Sequence, residues 1–244
     1  MSSEGECERG QRRKNPSGPE SLPKQEDIRV IVLEQNILEQ NEWYAQQNRA
    51  LFRSRGIHTL NLMSSPGSGK TTLLVETLQR LKGELCCAVI EGDQQTSNDA
   101  LRIAATQVPV VQINTRQSCH LDAYHVQRAL EALPLDAVQL LFIENVGNLI
   151  CPANFDLGEN EKVALMSVTE GEDKPLKYPL LFHLADVLVL TKLDLLPYLR
   201  FDLQLCRQNA LQVHRGVQII ETSAYTPDGM HDWLAYLREK VRAH

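Results

Sequence analysis

From His58 onward, short apolar runs alternate with longer stretches in which apolar positions recur every three or four residues. The short runs are "HTLNLMS", "CCAVIE", "VVQI", "LLFIENV", "DVLVLT" and "GVQIIETSA". Their length and polar or turn-forming borders predict strands buried on both faces. The intervening "GKTTLLVETLQRLKG" and "HLDAYHVQRALEAL", and the closing "MHDWLAYLREKVRA", have the period of amphipathic helices. Strand and helix in alternation predict an α/β fold, a mostly parallel, doubly wound sheet with helices on both faces.

Upstream the pattern changes twice. Between residues 25 and 56, Ile28, Ile31, Val32, Leu38, Tyr44 and Leu51 recur at helical spacing among Glu, Gln, Asn and Arg. This predicts one or two amphipathic helices that lead into the core domain and end at Gly56. Residues 1–24 mix charge with Ser, Gly and Pro without any period, as a disordered polar tail does. The expected organisation is a tail (1–24), a helical segment (25–56) and one domain (57–244).

Composition narrows the classes of function. A chain of 244 residues with 43% hydrophobic and 23% charged residues suits one well-cored domain. Its net charge of -6 argues against nucleic-acid or anionic-membrane binding, which call for a basic face. No run approaches the roughly 18 apolar residues that span a bilayer. No secretory signal is visible, so a cytoplasmic location is expected, with the six cysteines free or ligating rather than in disulfides. Cys7 reads as an incidental thiol, and Cys86, Cys87 and Cys206 as core packing.

The strongest motif is "MSSPGSGKTTLL", where a strand gives way to a helix. Gly67, Ser68 and Gly69 let the backbone turn its N–H groups inward around a phosphate. Lys70 supplies a point charge, Thr71 a hydroxyl for Mg²⁺, and Thr72 continues the loop into the helix. Ser64 stands where the usual G-x-x-x-x-G-K-[ST] pattern has its first glycine. About 120 residues further on, Thr191-Lys192-Leu193-Asp194 ends a strand and matches the [NT]-K-x-D element of GTPases. The Asp194 carboxylate can accept two hydrogen bonds from guanine that adenine does not offer, with the Lys192 stem along the base. "ETSA" would bring Ser223 and the Ala224 amide to the same base, so GTP is the expected nucleotide.

Asp93 and Glu144 follow or end strands whose tips should converge over the phosphates, and both are expected to reach Mg²⁺ or its waters. Lys70, Asp93 and Glu144 are thus the candidate catalytic residues. Gly147 can present its N–H to the γ-phosphate. The next residue is Asn148, not a water-orienting Gln, and Arg102 and Arg116 are only candidate arginine fingers. Hydrolysis should therefore be slow, on the order of 10⁻⁴ to 10⁻² s⁻¹.

"RQSCHLDAY" adds a soft-ligand pair, Cys119 and His120. With Ser118 as N-cap, the pair would sit at a helix start that lowers the thiol pKa. Cys151 lies only a few residues beyond Gly147, so a loop that senses phosphate also holds a thiol. Cys119, His120 and Cys151 make an S₂N set suited to Zn²⁺ or Ni²⁺, with water, a partner or a second copy completing it. His125 reads as a surface histidine.

Taken together, "SSPGSGKTT", "EGDQQTSNDALRI", "CHLDA", "IENVGNLICPANFDLGE", "TEGEDKPLKYP" and "VLTKLDLLPY" resemble the HypB family of hydrogenase nickel incorporation proteins, GTPases of the SIMIBI class. The resemblance covers roughly residues 35–240. It implies a P-loop GTPase fold and nickel delivery during [NiFe]-hydrogenase maturation. It also implies a Mg²⁺ ion and a homodimer favoured by GTP and metal, with Cys119, His120 and Cys151 at its interface. The implied partners are the small nickel metallochaperone HypA and the hydrogenase large-subunit precursor. Some members carry an N-terminal C-x-x-C-G-C site or a His-rich tract; here the tail has only Cys7 and no histidine. The rivals are a urease-type nickel GTPase, whose C-P-H motif is not matched by "SCHLDA", and a P-loop ATPase with a structural zinc site.

Overall fold

The computed structural model describes the backbone of residues 25–94, 97–116, 118–226 and 228–243, and side chains from residue 36 onward within these ranges. The tail, Cys7 and the side chains of Ile28, Ile31 and Val32 lie outside the described residues. Helix α1 (Gln25–Arg55) is one continuous element, uninterrupted by glycine or proline, and Gly56 closes it at φ 62°. From Leu38 onward the chain forms one compact unit.

Seven strands build the sheet: β1 (His58–Ser64), β2 (Cys87–Asp93), β3 (Val110–Asn114), β4 (Leu140–Glu144), β5 (Glu161–Ser167), β6 (Val187–Thr191) and β7 (Gln218–Glu221). Their order is β3-β2-β4-β1-β5-β6-β7, and every pairing is parallel. All strand C-termini therefore share one edge, and each crossover must bring a helix or loop back across a face. The central β1 is buried along its whole length.

The strand β5 is absent from the sequence-based expectation. It begins with a charged pair, Glu161-Lys162, which disguises it as loop. Glu161 is nonetheless buried, because it meets His58 Nε2 at 3.3 Å, the Tyr236 hydroxyl at 2.7 Å and Lys240. Burial opposes its ionisation, but the bonds from His58, Lys240 and Tyr236 prevail and hold its pKa down to about 2.

Helices cover both faces. Leu73, Leu74 and Leu78 of α2 (Lys70–Leu81) pack on one face with Trp233 and Leu237 of α8 (His231–Ala243). Trp233 is fully enclosed and donates to Thr77 Oγ1 at 2.9 Å. On the other face, Phe52 of α1 meets Leu121 and the apolar side of α4 (Ala123–Leu130). Phe182 of α6 (Pro179–Leu184) packs with Cys206 and Ala210 of α7 (Leu203–Val213). Each such large side chain contributes about 1.5–3 kcal/mol by burial. The short α3 (Asn98–Ala104) and α5 (Lys174–Lys177) complete the set among the described residues. No described helix is long and apolar enough to cross a membrane.

Two local expectations are corrected. Cys87 and Cys206 are buried, but Cys86 is exposed, one residue ahead of the sheet. Helix α4 starts at Ala123 with Asp122 as its N-cap, accepting from the His125 amide, so Ser118 caps no helix. Cys119 and His120 lie in the preceding turn.

Candidate nucleotide cleft and metal cluster

Where β1 ends, the chain wraps through Ser65-Pro66-Gly67-Ser68-Gly69 into α2. Gly67 (φ 77°) and Gly69 (φ 94°) take left-handed backbone that a side chain would disfavour. A cleft of about 550 Å³ opens above this loop. Gly67, Ser68, Gly69, Lys70, Thr71, Thr72, Asp93, Glu144, Gly147 and Lys192 all line it. Lys70 Nζ and Thr71 Oγ1 converge on one oxygen, Glu144 Oε1, at 2.8 and 2.6 Å. Asp93 lines the same cleft from the end of β2.

Glu91 carries no motif in the sequence. It lies two residues before Asp93, on the same side of β2, and is the cross-strand partner of Glu144. Burial and the neighbouring Glu144 and Asp93 carboxylates push its pKa up to about 8. Its Oε2 and that of Glu144 are buried without a hydrogen-bond partner. Two orphaned carboxylate oxygens beside a threonine hydroxyl and a phosphate loop are a donor set that fits a hard cation such as Mg²⁺. Arg102 also reaches the cleft, bonding Thr72 Oγ1 at 2.9 Å. Arg116 is exposed, and its backbone amide bonds Asn114 Oδ1.

The cleft continues past Gly69 and Thr72 into a smaller recess of about 70 Å³ lined by Thr191, Lys192, Asp194, Thr222, Ala224 and Tyr225. Lys192 has left-handed backbone (φ 62°), and its Nζ donates to Gly67 O at 2.6 Å, so its stem crosses the phosphate loop. Ser223 Oγ donates to Asp194 Oδ1 at 2.5 Å, fixing the carboxylate at the end of the recess.

The second cluster lies beyond β3 and β4. One ligand atom from each of Cys119, His120 and Cys151 lies within 4.8 Å of the others. A hydrogen bond with Cys151 and partial burial raise the Cys119 pKa, although Asn148 opposes the shift. The expected helix-terminus depression is thus corrected: α4 begins only at Ala123, and the largest influence on this thiol is a second thiol. Burial, aided by His125, lowers the His120 pKa against the pull of Asp122, which favours the neutral ring a metal needs. His120 stacks on Phe155 with ring centroids 3.9 Å apart. His125 is held by Asp122, which raises its pKa, and caps α4 rather than joining the cluster.

Asparagines hold these turns in place. Asn48 Nδ2 donates to Ala123 O (2.9 Å) and Leu157 O (3.0 Å), while Asn41 accepts from Ala123 N (2.8 Å) and donates to Asp156 O (2.8 Å). Both sit on α1, two turns apart on one face. Gly158 lies so close to α1 that a Cβ there would meet Ala45 O at 2.6 Å. Nearby, Trp43 and Tyr44 rings lie 4.8 Å apart, and Tyr44 lies 5.1 Å from Tyr124.

Residues 58–221 match the family described as "CobW/HypB/UreG, nucleotide-binding domain". Hydrogenase maturation factor HypB of Escherichia coli (strain K12) is 56% identical over 209 residues, which are 86% of this chain and 72% of that protein. The chain belongs to the HypB family. Among solved HypB structures, that of Helicobacter pylori in complex with nickel superposes with a TM-score of 0.80 at 36% identity, covering 84% of this chain and 96% of that one. The HypB of Archaeoglobus fulgidus gives 0.78 at 36% identity, with 84% and 100% covered. The parallel sheet and its preceding helix are therefore the HypB fold.

Proposed function

We propose that the chain is a GTP-hydrolysing metallochaperone that delivers nickel during maturation of [NiFe] hydrogenase. The observation that carries this is the continuity of the two clusters. Gly147 lies against Pro66 of the phosphate loop, where a Cβ would come within 3.1 Å, and Cys151 follows four residues later. A phosphate-sensing segment thus contains a ligand of a soft-metal set. The names of the relatives support the hydrogenase assignment, and the H. pylori relative was crystallised with nickel.

In this reading Lys70 moves its charge from Glu144 to the terminal phosphates, and the loop amides from Gly67 to Thr72 hold the phosphate oxygens. Asp194, set by Ser223, selects guanine, with Ala224 and the Lys192 stem bordering the base. Thr71, Asp93 and Glu144 would hold Mg²⁺, which supplies the positive charge that offsets the phosphates. Cys119, His120 and Cys151 carry the cargo, Ni²⁺, or Zn²⁺ in its place. A GTP- and metal-favoured homodimer, HypA as metal donor, the large-subunit precursor as recipient and a cytoplasmic setting complete the proposal.

The test pairs competition between GTP and ATP with nickel titration. Wild type should prefer GTP, and Asp194→Asn should lose that preference by about two orders of magnitude. Nickel affinity should differ between the GDP form and the form with a non-hydrolysable GTP analogue. Equal nickel affinity in both states would defeat the gated reading; preference for ATP would defeat the GTPase reading.

A further inference from the structure

The short segment Glu144-Asn145-Val146-Gly147-Asn148 connects the two clusters, and its two asparagines reach in different directions. Asn145 is fully buried. Its Oδ1 accepts from Val146 N and from Leu121 N, both at 3.0 Å, and its Nδ2 donates to Asn61 Oδ1 of β1 at 3.2 Å. Leu121 is the residue after His120. The His120 end of the metal cluster is therefore fastened through Asn145 to the central strand of the sheet.

Asn148, across Gly147, has other attachments. Its Oδ1 accepts from Ile150 N at 2.8 Å and from Cys151 N at 3.4 Å, and its Nδ2 donates to Cys119 O at 3.4 Å. One carboxamide thus straddles both thiol-bearing turns, using three of its four hydrogen-bonding valences on them. It is bonded in sequence to the glycine that abuts Pro66. A rotation of the backbone at Gly147 leaves Asn145 with the sheet and carries Asn148 along. Through its bonds to Cys119 O and Cys151 N, such a movement would shift the two thiols relative to His120.

We propose that Asn148 is a positioning residue that couples the γ-phosphate subsite to the geometry of the Cys119–His120–Cys151 set. This rests on the nucleotide-gated reading above and adds the side chain that transmits the gate. It also gives Asn148 a role at the place where some GTPases carry a water-orienting Gln.

The test titrates Ni²⁺ into the full chain in the GDP form and in the non-hydrolysable GTP-analogue form, following affinity and the thiolate-to-nickel charge-transfer band. In wild type the two affinities should differ by about 5- to 150-fold. In Asn148→Ala the ratio should shrink to under about 2-fold, and the band should stop responding to nucleotide, while affinity for the GTP analogue stays within about 2-fold of wild type. Asn148→Asp keeps the acceptor for the Ile150 and Cys151 amides and loses the donor to Cys119, so it should also lose most of the ratio. A wild-type ratio retained in both variants, or nickel affinity lowered equally in both states, overturns the proposal and leaves the gated reading standing. A wild type with no ratio overturns both.

Discussion

In the nucleotide cleft, charged groups sit at the ends of regular elements: Lys70 opens α2, while Asp93 and Glu144 end β2 and β4. In the metal cluster, Cys119 and His120 lie in a turn between β3 and α4, and Cys151 opens a single 3₁₀ turn (Cys151–Asn154). The first site is placed by sheet hydrogen bonding and changes little unless the sheet does. The second is placed by side-chain bonds from Asn41, Asn48, Asn145 and Asn148, each of net worth about 1 kcal/mol. Such a site can be rearranged at modest cost, which suits a cargo that must be both held and released.

The two regions separate most sharply at Lys70. Lys70→Ala should lower nucleotide turnover by about 10²–10³-fold, read as phosphate release. Nickel affinity without nucleotide should remain near wild type; an equal loss would mean the two regions cannot be separated. Cys151→Ala is the reverse probe, with nickel affinity expected to fall by about 100-fold or more and metal-free turnover largely retained. Asn48→Ala removes the donor to two buried carbonyls and should cost about 1–3 kcal/mol in denaturant unfolding. It should also weaken nickel binding by about 10-fold, as loss of an outer support does.

The smallest effect lies away from both sites, at the other end of the sheet. Because the Glu161 pKa is depressed to about 2 from 4.5, its contribution to stability is present above pH 4.5 and is lost as pH falls toward 2. Glu161→Gln should flatten the thermal stability profile over that acid range. A profile as steep as wild type would remove Glu161 from the account.

The same division explains what the sequence disclosed. The phosphate loop and the T-K-x-D element were legible because short-range spacing and a strand end fix the geometry at once. Most strands were visible as apolar runs, but β5 was hidden by Glu161-Lys162; the burial of Glu161 depends on His58 and Tyr236, each at least 75 residues away. Glu91 was passed over because its significance comes from Glu144 on the adjacent strand, a register that no local pattern encodes. Cys119, His120 and Cys151 stood out by type and proximity to Gly147, and the structure gathers them. Their surroundings did not stand out: Ser118 suits a helix cap by type, but Asp122, four residues later, takes that role. The supporting asparagines are polar residues whose partners lie on other elements, so nothing local marked them as structural.

The aromatic chain beside the metal turns has an optical consequence. The sequence has two tryptophans, Trp233 sealed in the core and Trp43 largely open to solvent. Excitation of Tyr124 can pass through Tyr44 to Trp43 across ring separations of 5.1 and 4.8 Å. Tyr124 follows His120 by four residues, so a displacement of that turn changes this transfer, while Trp233 emits at shorter wavelength as an internal standard. The chain thus carries a label-free fluorescent gauge of the turn that holds Cys119 and His120, and Trp43→Phe switches the gauge off.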